Sequence, residues 1–175
     1  TERATASIEV SDGDLGPGGR ANLGYDYSDR GTVYLGYQLA AENPDSFDAG
    51  RLGRLTTGMR TRFNDNVGMF VEGRYVHGAG PTGLTQSYGI DLRPVKSWLA
   101  TLSYETGALS DASSGDIDRN AVSGTLSYRT DTTGWSGTLE WREDQSIQSG
   151  DRTVFAWRSL LSVQATPDTR LYAKV

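Results

Sequence analysis

Apolar and polar positions alternate along most of this chain with a period of two. Val33, Leu35, Tyr37 and Leu39 alternate with Tyr34, Gly36 and Gln38, and Val67, Met69, Val71, Gly73 and Tyr75 alternate with Gly68, Phe70, Glu72 and Arg74. The pattern returns at Trp98–Tyr104, Val122–Tyr128, Trp135–Trp141 and Phe155–Val163. A helical period would not hold these sets apart over such runs, whereas a strand places them on opposite faces. Ten strands are predicted, at about 20–27, 32–41, 53–63, 67–77, 86–94, 97–108, 120–130, 135–143, 153–165 and 170–175, with an eleventh near 3–10.

Tight polar turns are expected at Ser28–Gly31, Asn64–Asn66, Pro94–Lys96, Asp131–Gly134 and Thr166–Thr169, where Asp, Asn, Gly and Pro supply the needed backbone conformations. Longer loops are expected between them, at Ser11–Gly19, Asn43–Gly50, Gly78–Thr85, Ser110–Arg119 and Asp144–Asp151. Measured at Asp29, Asp65, Pro94, Asp131 and Pro167, the tight turns recur after 36, 29, 37 and 36 residues. The repeating unit is a β-hairpin with its connecting loop. No linker or shift in composition divides the chain, so residues 1–175 read as a single domain or barrel segment.

Composition narrows the environment. Only 36% of residues are hydrophobic and 22 are Gly, yet there are nine Tyr, four Trp and four Phe, too many aromatics for a disordered chain. No apolar run is long enough for a transmembrane helix. The absence of Cys removes disulfides and thiolate chemistry. The net charge is −5 and no basic run occurs, so nucleic acid is not an expected partner.

Two environments fit a one-sided sheet. A soluble sandwich turns its apolar faces inward, and an outer-membrane barrel turns them to lipid and its polar faces to the lumen. Both place Asp26, Arg54, Arg60, Arg62, Glu72, Arg74, Asp91, Arg93, Glu105, Glu140, Arg142 and Arg158 opposite the apolar face. Three features favour the membrane. The strands are near the ~9–11 residues that cross a bilayer at a tilt. Short turns alternate with longer loops. Aromatics gather at strand ends: Tyr27, Phe63, Trp98 and Trp135 near the tight turns, and Tyr37, Tyr75, Tyr88, Tyr104, Trp141 and Phe155 toward the longer loops, as two interfacial girdles would. The expected fold is all-β, an antiparallel up-and-down transmembrane β-barrel with about ten or eleven strands in this chain.

Hairpin segments such as Gly13-Asp14-Leu15-Gly16 before Leu23-Gly24-Tyr25, Ser28-Asp29-Arg30 with Tyr34-Leu35-Gly36-Tyr37, and Val71-Glu72-Gly73-Arg74-Tyr75 before His77-Gly78 carry a resemblance. With Gly80-Pro81-Thr82-Gly83-Leu84-Thr85 and Gly115-Asp116-Ile117-Asp118-Arg119, they look like hairpins of bacterial outer-membrane β-barrels. They are similar to the C-terminal barrel region of large multidomain surface proteins that often carry OmpA-like domains. The resemblance implies a bacterial outer-membrane location. Its implied partners are the lipid bilayer, lipopolysaccharide and the barrel insertion machinery. It carries no defined activity. The chain ends at Val175 inside a strand without a terminal Phe or Trp, a departure that suggests a segment of a larger barrel.

Candidate chemistry is sparse. His77, the only histidine, could pair with Ser87 and Asp91 in a membrane-embedded hydrolase, but Gly-x-Ser-x-Gly is absent. Gly78–Gly83 spells G-x-G-x-x-G, but Pro81 interrupts it and an alternating strand follows instead of a helix. Asp111, Asp116 and Asp118, Asp45 and Asp48, and Asp144 and Asp151 form acidic loops without a calcium-loop register. No catalytic residue, metal or cofactor is expected. The inward charges either fill a narrow lumen as a paired network or line a channel whose Arg excess favours anions. The expected role is structural anchoring or surface display. A porin-like channel is the first alternative and a His77 hydrolase the second.

Overall fold

Alternation with turn chemistry at regular intervals produces a single antiparallel sheet in the computed structural model, which describes residues 3–12, 17–40, 52–78, 80–111, 115–166 and 169–174. Among these residues there are eleven strands and no helix: β1 (Ala4–Ser11), β2 (Gly18–Ser28), β3 (Gly31–Ala40), β4 (Leu52–Arg62), β5 (Val67–Gly78), β6 (Thr82–Leu92), β7 (Trp98–Asp111), β8 (Gly115–Arg129), β9 (Thr133–Gln145), β10 (Arg152–Thr166) and β11 (Thr169–Lys174). Each pairs with its sequence neighbours in the order β1 to β11, an up-and-down meander. The sheet is open: β1 and β11 are its two edges.

Side chains close the turns locally. Asn64 Oδ1 accepts hydrogen bonds from the Asn66 and Val67 amides, both at 2.8 Å, which turns β4 into β5. Between β8 and β9 the Thr133 amide donates to Thr130 Oγ1 at 3.0 Å, and the Thr130 amide to the Thr133 carbonyl at 2.7 Å. Short polar side chains offer the backbone such partners where a ladder has to end.

Two of the expected longer loops are mostly strand. β6 begins at Thr82 and β8 at Gly115, while β7 runs on to Asp111, so Gly78–Thr85 and Ser110–Arg119 are largely paired. The strict alternation of short turns with longer loops therefore does not hold at these two hairpins. Each adds length by extending its ladder, because backbone groups pair across it whatever the polarity of the side chains. The expected loop Asn43–Gly50 and the acidic pair Asp45 and Asp48 lie outside the described residues, as do parts of the Ser11–Gly19 loop and of the Thr166–Thr169 turn.

Among the described residues the sheet has no second layer. Leu109 and Ala121 are the buried apolar residues, and no large side chain among the described residues is fully buried. Accessible surface reaches 12049 Å². A compact globule of 19.0 kDa would expose about 8,400 Å².

Candidate functional site

The register sorts side chains onto two faces of opposite character. One face carries Leu23, Val33, Leu35, Leu55, Met59, Ile90, Leu102, Leu126, Leu139, Trp141 and Trp157, all of them exposed. The charged residues of this face within strands are Asp116, Asp118 and Glu143, at the end of the sheet away from the tight turns. An exposed apolar surface of this extent is far beyond what a water-facing monomer presents.

The opposite face carries the charges. Asp26, Arg54, Arg60, Arg62, Glu72, Arg74, Asp91, Glu105, Glu140, Arg142 and Arg158 all take its strand parity, and Arg93 follows β6 directly. Arg74 meets Glu72 at 2.9 Å and Glu105 at 3.7 Å, bridging β5 and β7 over the intervening strand. Ser87 donates to the same Glu105 at 3.2 Å. Arg60 pairs with Asp91 at 3.7 Å and lies 5.4 Å from the Phe70 ring centroid. Asp26 accepts from the Thr32 hydroxyl.

A ladder of charges continues across β8, β9 and β10. Arg158 meets Glu140 at 3.0 Å, and Arg142 lies between Glu140 and Asp144 at 3.6 and 3.3 Å. Arg119 grips Asp144 with two bonds, at 2.7 and 3.2 Å. Sequence reasoning missed Arg119 and Asp144 because it assigned both to loops. Their i-to-j alternation with Ala121 and Arg142 was the available signal. Partly buried charges persist where they are paired, as here, although the buried Arg142 Nε makes no hydrogen bond among the described residues.

The aromatic residues occupy staggered rows. Tyr37 and Tyr75 share the row Tyr37–Leu55–Tyr75–Leu84. Tyr88, Tyr104, Trp141 and Phe155 share another, displaced by four residues along β6 toward the tight turns. At the tight-turn end Tyr27 reaches the Thr61 hydroxyl, in the row of Met69, Ile90 and Leu102, and Phe63 hydrogen-bonds through its amide to the Val67 carbonyl at 2.9 Å. Trp98 and Trp135 stand further along, with Tyr128 between them, 4.9 Å from Trp98. Tyr128 belongs to this cluster and was not singled out from the sequence. Both rows thus slide in the same direction across the sheet.

Hydroxyl directions separate ring from polar tip. Tyr88 donates to Gln86 at 2.9 Å and Tyr104 to Asn120 at 2.7 Å, each away from the apolar centre and toward the end opposite the tight turns. His77 stacks with Tyr37 and Tyr75 at 6.0 and 5.9 Å, and its Nε2 lies 3.2 Å from the Tyr37 hydroxyl. His77 therefore stands on the apolar face, while Ser87 and Asp91 stand on the other. The structure does not bring these three together. Asp91 is occupied by Arg60 and by the Thr101 hydroxyl at 2.7 Å.

The G-x-G-x-x-G letters span the β5–β6 connection, with positive φ at Gly78 and Gly80, and lead into a strand. Among the described residues no three His, Asp or Glu side chains converge on a metal-sized site. Compared with protein families, with curated proteins and with solved structures, the chain shows no significant match.

Proposed function

We propose that this sheet is the wall of a bacterial outer-membrane β-barrel, with a structural role in anchoring or display at the cell surface. The observation that carries the reading is the exposed apolar face, free of charged strand residues between its aromatic rows. Lipid would take the place of the missing core, and the paired charges would face the lumen. The oblique drift of both aromatic rows supports the same reading, because strands tilted by about 35–45° cross a level bilayer at changing register. Tyr88 and Tyr104 have the orientation of interfacial residues, ring in the apolar layer and hydroxyl outward. The edge strands β1 and β11 run in the same direction, so a wholly antiparallel closure takes an odd number of further strands. The bilayer, lipopolysaccharide and the barrel insertion machinery are the partners this role requires.

Reconstitution tests it. The chain should remain with phospholipid vesicles after an alkaline wash and keep its β signal there. A folded, monodisperse protein in buffer without detergent would end the proposal.

A channel is the second reading, favoured by Arg62 and Arg93, which form no ion pair among the described residues. Planar-bilayer recording of reconstituted protein should then show anion-favouring conductance. Silence at every voltage would remove this reading and leave the first intact.

A further inference from the structure

We infer that the tight-turn end of the polar face holds a binding site for a phosphate-bearing anion. Five arginines that are scattered in sequence come together there: Arg3 before β1, Arg30 in the β2–β3 turn, Arg60 and Arg62 on β4, and Arg93 after β6. They line a cavity of about 540 Å³ together with Asp26 and Asp29. Five guanidinium groups against these two carboxylates and Asp91, which pairs with Arg60, leave a local charge of +2 in a chain whose net charge is −5. The sequence contains no basic run, so this site exists only through the fold.

Backbone bonds fix where the arginine stems start. The Arg62 amide donates to the Arg30 carbonyl, the Asp26 amide to the Arg3 carbonyl and the Arg93 amide to the Asn66 carbonyl, each at 2.7 Å. Some of the side-chain capacity is committed. Arg30 donates to the Phe63 carbonyl at 3.0 Å, Arg60 faces Asp91, and Asp26 is engaged by Thr32 at 2.5 Å. Arg3, Arg62 and Arg93 make no ion pair among the described residues. Elsewhere on the same face Arg74, Arg119, Arg142 and Arg158 each have a carboxylate. Arg20, Arg54, Arg129 and Arg152 share this face and make no ion pair among the described residues either, so what distinguishes the tight-turn end is that three unpaired guanidiniums, those of Arg3, Arg62 and Arg93, meet around one cavity.

The chemistry selects the ligand class. A guanidinium fork binds two oxygens of one phosphate or carboxylate at once, and several forks around one cavity favour a multiply charged oxyanion over a monocarboxylate. The volume falls within the range of small-molecule pockets and exceeds what one inorganic phosphate needs. The ligand is thus a small molecule or lipid headgroup bearing one or more phosphates. This goes beyond the barrel proposal and does not depend on insertion into a bilayer.

The probe is inorganic pyrophosphate, titrated calorimetrically into the whole chain folded in neutral detergent at low salt. Saturable binding that weakens as salt rises is expected. Arg62→Gln with Arg93→Gln should raise the dissociation constant by at least about tenfold, since two charge-assisted contacts are lost. Arg158→Gln on β10, which breaks the pair with Glu140 on β9, should leave it unchanged. Far-ultraviolet circular dichroism confirms that each variant keeps its strands. Doping the micelles with phosphatidic acid separates the two sources: competition points to a lipid headgroup and its absence to a soluble phosphate, both within the proposal. No binding by the folded wild-type chain, or equal weakening by Arg158→Gln, overturns the site whether or not the protein inserts into vesicles.

Discussion

The Tyr34 hydroxyl donates a 2.8 Å hydrogen bond to a Glu72 carboxylate oxygen across the strand between them, and Gly58 is the residue it passes over. A Cβ at position 58 would lie 2.5 Å from the Tyr34 hydroxyl oxygen and 2.8 Å from the Val71 carbonyl oxygen. The same Glu72 accepts from Arg74, which reaches on to Glu105. One bare backbone position thus lets β3, β5 and β7 be tied together over their intermediates, in a sheet that, among the described residues, has no second layer to hold it.

Gly58→Ala should therefore destabilise the fold by about 1–3 kcal/mol, the range for forcing an extra group into a filled site. Tyr34→Phe keeps the ring and loses only the bond to Glu72, at about 1 kcal/mol. Urea unfolding in the folding detergent, followed by tryptophan emission, would measure both. A Gly58→Ala variant as stable as the wild type would mean that the ring does not lie over β4.

The lipid-facing reading makes a prediction with opposite signs in its two alternatives. Leu102 is 60% exposed and lies in the row Met69–Ile90–Leu102, between Tyr104 and Trp98 along β7. In a bilayer Leu102→Arg puts a charge near the centre of the apolar layer and should cost about 2–4 kcal/mol. On a surface facing water the same change falls within about 0.5 kcal/mol of neutral. Ser103→Arg, one residue along on the polar face, is the matched control. Unfolding from vesicles, compared for the two variants, decides between them.

The faces were legible in the sequence and the register was not. Alternation assigns each residue to a side because side chains reverse at every position, and all eleven strands followed from it. It says nothing about which residue sits opposite which. That depends on turn length, so the four-residue offset between the row of Tyr75 and the row of Tyr88 emerged only from the pairing. Strand ends were lost where apolar alternation stops. Apart from Leu84 and Ile117, Thr82–Thr85 and Gly115–Arg119 continue the ladder with polar or small residues, and Arg119 and Asp144 went with them. The arginine cavity was invisible for another reason, since its members come from four separate turns and strands.

Asp144 is the node of the charge ladder on β8, β9 and β10. It holds Arg119 at 2.7 Å and Arg142 at 3.3 Å, and its side chain is 14% exposed. Asp144→Asn leaves Arg119 without its ion-pair partner, while Arg142 retains Glu140. Because Arg119 and Arg142 remain partly open to solvent, the loss should be about 1–2 kcal/mol, below that of a fully buried pair. It should also shrink at high salt as screening weakens what the wild type gains. Urea midpoints for both proteins at low and high salt would test this. A difference that does not depend on salt would show that Asp144 acts by packing alone.

Two tryptophans on one strand provide a gauge of the apolar layer. Trp135 and Trp141 lie on the same face of β9, six residues apart, and Trp157 pairs with Leu139 between them. Six residues span about 20 Å along a strand. Tilted at about 40°, that becomes roughly 15 Å of depth, which fits inside an apolar band about 25 Å tall. Trp157, 59% exposed at the level between the other two, should then sit deepest in the lipid. Variants keeping one tryptophan, with Phe at the other three positions, would be reconstituted in vesicles of lipids brominated at different depths. Trp157 should be quenched most by bromines near the bilayer centre, and Trp135 and Trp141 most by bromines near the headgroups. The last two should also respond to aqueous quenchers, to which Trp157 is closed. Equal access of iodide to Trp157 and Trp135 would place this face in water, and the barrel proposal would fail with it.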